Sequence, residues 1–106
     1  MDIPYQNPGP DRETVDALTT PTVLEFGAPW CPICQGAQAS IEEALTQFPQ
    51  VTRLMVEDGP GRRLGRSYRV KLWPTLIFLK NGQEVARVVR PEGSDEIADG
   101  LAQLTS

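Results

Sequence analysis

The chain has 106 residues, of which 40% are hydrophobic, so it can bury one core without the help of metals or several disulfides. Its formal net charge of −4 argues against nucleic-acid binding as the main role, because phosphate-binding domains are usually basic. Histidine is absent, which removes the commonest general base and the commonest protein ligand for zinc besides cysteine.

The N-terminal residues and the number of cysteines indicate where in the cell the protein is expected. The opening sequence MDIPYQNPGPDRE lacks the basic start and apolar stretch of a signal peptide, and no apolar run approaches the ~20 residues of a membrane helix. Two cysteines are too few for a disulfide-rich secreted scaffold. We therefore expect a cytoplasmic monomer that binds neither membrane nor nucleic acid.

The first part of the chain predicts an arm, a short helix and a strand. Several prolines and a glycine at 1–10 predict a flexible or extended arm, which leaves 11–106 as the folded domain. A short helix is predicted over 10–20. Residues 22–27 are nearly all apolar, which is typical of a strand buried on both faces.

A longer helix is predicted to start near Cys31 and to end before Pro49. Apolar residues recur there at the spacing of one helix face, which predicts that they point inward. These residues are Ile33, Ala37, Ile41, Ala44, Leu45 and Phe48.

The second part of the sequence predicts a strand, a weak helix, a hairpin of two strands and a closing helix. A strand at 51–57 and a weak helix at 62–70 precede β-rich runs at 74–90, which an Asn-Gly dipeptide divides into a hairpin. Ser94 can cap the last helix. The order of elements predicts an α/β fold with a mixed sheet that has helices on both faces.

Both cysteines lie in the segment GAPWCPICQG, where a strand gives way to a helix. Cys31 is expected at the positive end of the helix dipole, which favours its thiolate and lowers its pKa. Pro32 fits the first turn, because the amide missing there has no helical partner. Cys34 lies one turn on, within reach of a disulfide. So small a loop restricts the unfolded chain little, which indicates a bond that is made and broken.

Other interpretations of the cysteine pair stay open at this point. The two thiols resemble half of a zinc site, although only carboxylates of this chain could complete it. They could also be small apolar residues on a helix, since a bare C-x-x-C does not exclude this.

The segments VLEFGAPWCPIC and WPTLIFLKNGQEV together resemble the thioredoxin family over residues 12–105. The resemblance implies a thioredoxin fold and thiol–disulfide exchange, with Cys31 as the exposed nucleophile and Cys34 as the buried resolving thiol. It also implies that Pro74 is a cis-proline opposite the cysteines, next to backbone that pairs with an extended substrate. No bound cofactor is implied, and reducing equivalents would come from NADPH through a thioredoxin-reductase-like enzyme.

Glu25 lies where the family usually has a buried aspartate. A carboxylate inside an apolar strand should have a raised pKa and could accept the proton of Cys34 through a water, unless the strand turns it to solvent. Arg53 lies where a lysine often accompanies that acid, although a solvated strand arginine is an equal alternative.

The predicted substrate contacts surround the cysteines. Trp73 departs from the family, which usually has an aliphatic residue there; it could line the substrate groove or pack on a neighbouring loop. Trp30 could form the rim of the site or simply pack. The full set is Trp30, Pro32, Ile33, Trp73 and Pro74.

Further departures leave the partners open. Arg90 and Pro91 occupy a region where the family usually has a glycine that lets substrate approach. Five cations between Arg62 and Lys71 predict a solvated basic face, with an acidic partner as the alternative. We therefore expect a reductase of protein disulfides that serves electron transport and cell redox homeostasis. The alternatives are a non-enzymatic interaction scaffold and a disulfide oxidase or isomerase.

Overall fold

The computed structural model describes residues 5–105, while 1–4 and 106 lie outside the described residues. Within that range the chain alternates short helices and strands in the predicted order. The elements are α1 (Arg12–Asp16), β1 (Thr22–Gly27), α2 (Pro32–Leu45), β2 (Thr52–Glu57), α3 (Arg63–Ser67), β3 (Thr75–Lys80), β4 (Gln83–Val89) and α4 (Ser94–Thr105).

The four strands form one mixed sheet in the order β2-β1-β3-β4. β1 runs parallel to β2, and the crossover between them contains α2. β3 pairs antiparallel with both β1 and β4. The hairpin turn is the predicted one, because Asn81 and Gly82 both have positive φ angles, of 51° and 77°. β1 is therefore a central strand, which explains why its sequence is apolar throughout.

Helices cover both faces of the sheet, as predicted. On one face, residues of α2 and α4 pack against alternate residues of β1 and β3; this core contains Val23, Ile41, Phe78 and Leu101. On the other face, α1 and α3 cover Leu24, Phe26, Ile77 and Leu79, together with Val15, Leu64 and Tyr68. Because successive residues of a strand point to opposite faces, Glu25 lies on the same face as Val23, under α2.

Some predicted boundaries and one predicted orientation are wrong. α1 is shorter than the predicted helix at 10–20; it begins after Asp11, whose carboxylate accepts a hydrogen bond from the Thr14 amide at 2.8 Å. α3 is likewise shorter than 62–70. Ile33 does not point into the core, since it is 46% exposed. It lies in the first turn of α2, next to the cysteines at the carboxyl end of β1.

Part of the predicted arm lies along the sheet. The Gln6 amide donates to the Met55 carbonyl at 2.9 Å, and the Glu57 amide donates to the Gln6 carbonyl at 3.0 Å, so that Gln6 forms a parallel bridge beside β2. Residues 1–4 of the arm lie outside the described residues. The division into a flexible arm at 1–10 and a domain at 11–106 stays a prediction.

From residue 5 to residue 105, the structure contains no helix long and apolar enough to cross a membrane.

Candidate active site

Cys31 is the N-cap residue of α2, and Pro32 follows within the first turn as predicted. The backbone of Cys31 is extended, and its Sγ accepts a hydrogen bond from the Cys34 amide at 3.2 Å. An amide at the start of a helix has no partner within the helix, so this sulfur fills that role. The positive end of the dipole of a 14-residue helix therefore points at Cys31.

Both thiols are free and buried, although only Cys34 was expected to be buried. Cys34 has no exposed surface, as the resemblance implies. Cys31, expected to be exposed, shows only 6% of its surface, because it packs with Ala28 and Cys34 under the side chain of Trp73. Burial is the main cause that raises the pKa of Cys34 to about 12, and the neighbouring Cys31 adds to the rise.

Glu25 is fully buried, so the alternative in which it faces solvent is wrong. Its Oε1 accepts hydrogen bonds from Arg53 Nε at 2.9 Å and from Arg53 Nη2 at 2.7 Å. Arg53 is thus the ion-pair partner of Glu25 rather than a solvated arginine. The parallel register, which pairs Val23 with Arg53, places the guanidinium beside Glu25 on the α2 side of the sheet.

Gln38 connects this ion pair to Cys34. Its Nε2 donates to Glu25 Oε2 and to the Cys34 carbonyl, each at 3.0 Å, while its Oε1 accepts from Arg53. Gln38 is absent from the predicted site residues. A usable signal was present, because a polar residue four positions after Cys34 lies one turn on along the same face of the helix.

Tyr5 is a second residue that the sequence analysis missed. A Cβ built on Gly27 would lie 2.7 Å from the Tyr5 hydroxyl oxygen and 2.7 Å from Cys34 Sγ, so these two atoms are close neighbours. Burial, helped by the negative charge of Glu25, raises the pKa of the Tyr5 hydroxyl. Nothing in the local sequence of a proline-rich arm indicates that it reaches the thiols.

The aromatic rim of the site lies next to Pro74, which is buried and follows a cis peptide bond, as the resemblance implies. The Trp73 ring packs against the cysteine cluster, and its Nε1 donates to Asp58 Oδ2 at 2.9 Å. Packing of Trp73 on a neighbouring loop is therefore confirmed, and its place in a substrate groove stays a prediction. Trp30 is 66% exposed and meets Trp73 edge to face, with ring centroids 5.5 Å apart. Pro32 and Ile33 are exposed beside this rim.

Arg90 occupies backbone next to Pro74. Its φ of 50° lies in the left-handed region that favours glycine, in keeping with the glycine expected there in the family. The Arg90 amide donates to the Pro74 carbonyl, and its Nε donates to the Trp73 carbonyl, both at 2.9 Å. The guanidinium thus covers the carbonyl that precedes the cis-proline.

The basic cluster divides between two sides of α3. Arg62, Arg66 and Lys71 border an open groove of about 280 Å³ beside Trp73. Arg63 instead lines a separate cavity under the N-terminal arm. Binding of an acidic partner to the groove stays a prediction.

In the part of the chain that the structure describes, no three cysteine, aspartate or glutamate side chains come together as a metal site would require. Residues 11–103 match the family model described as thioredoxin. The chain belongs to the thioredoxin family. The Cys31–Cys34 spacing fits the dithiol motif of that family, and the four-stranded mixed sheet with flanking helices is its fold.

Individual relatives support the same assignment. A thioredoxin of Chlamydia trachomatis serovar D is 34% identical over 83 residues, which make up 77% of this chain and 81% of that protein. A thioredoxin H-type of Fagopyrum esculentum is 33% identical over 80 residues, 76% of this chain and 68% of that protein. The reduced thioredoxin 2 of Pseudomonas aeruginosa PAO1 superposes with a TM-score of 0.86 at 49% identity, covering 98% of this chain and 96% of that one.

Proposed function

We propose that this thioredoxin-family protein reduces disulfide bonds in protein substrates by dithiol exchange through Cys31 and Cys34. Membership of the family supports thiol–disulfide oxidoreductase chemistry in general. The observation that carries the more specific proposal is the asymmetry of the two thiols. One caps a helix at the rim of the site, and the other lies one turn deeper with no exposed surface.

The first step uses Cys31 as the nucleophile. The helix N-terminus and the amide of Cys34 stabilise negative charge on Cys31 Sγ. The thiolate attacks one sulfur of the substrate disulfide, forms a mixed disulfide and releases the other substrate sulfur as a thiolate, which takes up a proton.

The second step uses Cys34. Its thiol loses a proton and attacks Cys31 Sγ, so that a Cys31–Cys34 disulfide forms and the bond from Cys31 to the substrate breaks. The proton is lost from a thiol whose pKa is about 12, which makes this step the one that needs help from its surroundings. We assign Glu25 to that help, with Arg53 and Gln38 holding its carboxylate in place.

The proposed substrate surface is the exposed rim around the thiols. Trp30 and Ile33 offer apolar area to a bound segment, and the backbone before Pro74 offers a carbonyl for pairing once the Arg90 side chain has moved. The full set of contacts is Trp30, Pro32, Ile33, Trp73 and Pro74. A substrate segment that carries an acidic group next to its cysteine would help to draw Arg90 away.

The surrounding biology is also part of the proposal. We assign the oxidised protein to a thioredoxin-reductase-like enzyme that draws on NADPH, with no cofactor bound to the chain itself. A cytoplasmic monomer that binds no nucleic acid fits its acidic charge.

Reduction of insulin disulfides by dithiothreitol tests the proposal. The unmodified protein should accelerate the reaction, and Cys31→Ser and Cys34→Ser should each reduce the acceleration by about a thousandfold or more. Only Cys34→Ser should accumulate a mixed disulfide with the substrate, because it keeps the nucleophile and loses the resolving thiol.

Two outcomes would contradict the proposal. Background rates with the unmodified protein would favour a non-enzymatic scaffold. Equal trapping by both variants would show that the roles of the two cysteines are wrong. A measured reduction potential then separates a reductase from an oxidase or isomerase.

A further inference from the structure

The hydroxyl of Tyr5 is a buried polar group that the proposed reaction has not yet used. Its oxygen has no hydrogen bond of normal geometry to any residue between 5 and 105. Buried hydroxyl groups are nearly always bonded, so an exception calls for a reason. Cys34 Sγ is a reactive neighbour of this oxygen, since a Cβ added to Gly27 would lie 2.7 Å from both atoms.

Three features place the hydroxyl there. The two backbone hydrogen bonds of Gln6 to β2 fix the arm beside the sheet, one residue after Tyr5. Gly27 lies two residues after Glu25 in β1, so it faces the same side of the sheet, toward α2. The missing side chain of Gly27 leaves the space in which the phenol ring reaches the sulfur.

The other groups around Cys34 are already engaged. Glu25 accepts two hydrogen bonds from Arg53 and one from Gln38, which occupy both of its carboxylate oxygens. Cys31 accepts from the Cys34 amide and becomes the target of Cys34 in the second step. The Tyr5 hydroxyl is therefore a donor with no other partner among the described residues, and it lies beside Cys34 Sγ, the atom that must become negatively charged.

The pKa shifts have the directions that such a donor would give. The backbone of Ala28 and, after it, the Tyr5 hydroxyl oppose the effect of burial and lower the pKa of Cys34. Cys34 in turn contributes to raising the pKa of Tyr5, after burial and the charge of Glu25. A phenol that holds its proton this firmly donates a hydrogen bond to a thiolate and does not lose the proton to it.

We propose that Tyr5 donates a hydrogen bond to the Cys34 thiolate and so speeds the step in which Cys34 releases the reduced substrate. The proposal rests on the two-step dithiol exchange described above. Tyr5 keeps its proton throughout. Cys34 loses its own proton through water, with the help of Glu25 proposed above, the Cys31–Cys34 bond forms, and the electron pair of the broken mixed disulfide leaves on the substrate sulfur, which is then protonated. The N-terminal arm thereby contributes a group to the active site.

The test compares Tyr5→Phe with the unmodified protein in single-turnover reduction of a small peptide disulfide. Acid quenching and mass spectrometry follow the mixed disulfide. The first step should keep its rate, because the Tyr5 hydroxyl lies beside Cys34 Sγ, which does not react in that step. The second should slow about tenfold, the value of a hydrogen bond to a charged group. More mixed disulfide should therefore accumulate during turnover.

The pH profile of the second step separates a donor from a merely structural residue. The charged or titratable groups facing Cys34 are Cys31 on α2, Glu25 on β1, Arg53 on β2 and Tyr5 on the arm, and Tyr5→Phe changes only the last. The rate rises with pH as Cys34 ionises, and the variant should need a pH higher by about one unit to reach the same rate.

Tyr68→Phe is the matched control. The Tyr68 hydroxyl is also buried without a hydrogen-bond partner among the described residues, but it lies in the core on the opposite face of the sheet. Its removal should change neither step. 3-Fluorotyrosine in place of Tyr5 keeps the shape of the ring and makes the hydroxyl a stronger donor, and it should speed the second step.

Several results would overturn the inference. One is a second step as fast in Tyr5→Phe as in the unmodified protein. Another is a loss of rate shared equally by both steps, and a third is no effect of the fluorinated ring. The proposed function fails separately, if the unmodified protein reduces neither the peptide nor insulin.

Discussion

Cys31 and Cys34 lie one helical turn apart, yet their surroundings are of different kinds. Cys31 meets backbone amides at a helix N-terminus and two tryptophan rings at the surface. Cys34 lies beside the Tyr5 hydroxyl, and Gln38 on the same helix links its carbonyl to the ion pair of Glu25 with Arg53. The helix end at Cys31 is built from local sequence, with Trp73 added by the fold, whereas most of the surroundings of Cys34 come from β1, β2 and the arm.

The difference supports the proposal that the two thiols of one motif have separate tasks. A helix end favours negative charge wherever it occurs, so the outer thiol depends little on distant residues. The inner thiol lies in an apolar core, where charge is costly, and several of the groups around it, Tyr5, Glu25 and Arg53, come from other elements of the fold. Changes to the inner surroundings should therefore affect stability and the second step together, which gives three ways to test the comparison.

The largest effect is expected from the buried ion pair. Arg53→Met removes the partner of Glu25 and leaves a fully buried carboxylate with one hydrogen bond from Gln38. We expect a loss of about 2–3 kcal/mol in the free energy of unfolding, below the full cost of breaking a buried pair because Arg53 keeps partial access to solvent. Urea denaturation of the reduced protein measures it.

Arg63→Met is the control for this change, since Arg63 is exposed on α3 and should cost less than about 0.5 kcal/mol. Adding Glu25→Gln to Arg53→Met should recover part of the loss, because no unpaired charge is then buried. Equal costs for the two arginine variants would show that the pair does not stabilise the inner site.

A smaller effect is expected from replacing two glycines by alanine, one next to the inner thiol and one on the exposed face of α2. Gly27→Ala places a methyl group 2.7 Å from Cys34 Sγ and from the Tyr5 hydroxyl, which should cost about 2 kcal/mol and slow the second step of exchange. Gly36 lies on the outer face of α2, where an added Cβ would meet nothing in the described part of the chain within 4 Å besides the neighbouring backbone of its own helix. Gly36→Ala should therefore stabilise the helix by about 0.5–1 kcal/mol. Thermal unfolding of both variants should show shifts of opposite sign; two shifts of the same sign would contradict the packing described around Gly27.

The fold could be predicted from the sequence because its signals are local. An unbroken apolar strand, a helical period after the cysteines and an Asn-Gly turn each depend on neighbours in sequence. Boundaries were less accurate at α1, where the hydrogen bond from Thr14 to Asp11 fixes the first turn and the helix continues for only five residues. Ile33 has the spacing of the buried residues of α2 but is itself exposed, because the helical spacing does not show where a helix extends beyond the sheet it packs on.

The site was predictable to the extent that it follows the family pattern. The cysteines, Glu25, Arg53 and Pro74 were named from matched positions, and the structure places Glu25 beside Arg53. Tyr5 was missed because its neighbours in the site are far from it in sequence. Gln38 was missed because its bond to Glu25 spans 13 residues, although its bond to the Cys34 carbonyl is local. Pairing of the arm with β2, which brings Tyr5 to the thiols, depends on two backbone hydrogen bonds that side-chain patterns do not reveal.

The smallest effect is expected in the dependence of stability on pH. The pKa of Cys34 rises from the ordinary 9.0 to about 12 on folding, and that of Tyr5 also rises from its ordinary 10.0. Above about pH 9 the unfolded chain therefore holds fewer protons than the folded one, so the free energy of unfolding falls as the pH increases. The stabilisation from Cys34 is fully present below pH 9 and is lost progressively toward pH 12. Urea midpoints of the reduced protein at about pH 8 and about pH 10.5 measure the decline.

Cys34→Ala isolates the contribution of the inner thiol. The variant should be less stable at both pH values, because it leaves a small cavity, but its decline between them should be smaller than that of the unmodified protein. Tyr68 lies on the other face of the sheet, so its contribution is the same in both proteins and cancels in the difference between the two declines. Cys34 also helps to raise the pKa of Tyr5, so the difference reports the inner thiol together with its effect on Tyr5. Identical declines would mean that the inner thiol ionises as readily in the folded protein as in the unfolded chain, and the contrast between the two cysteines would then rest on exposure alone.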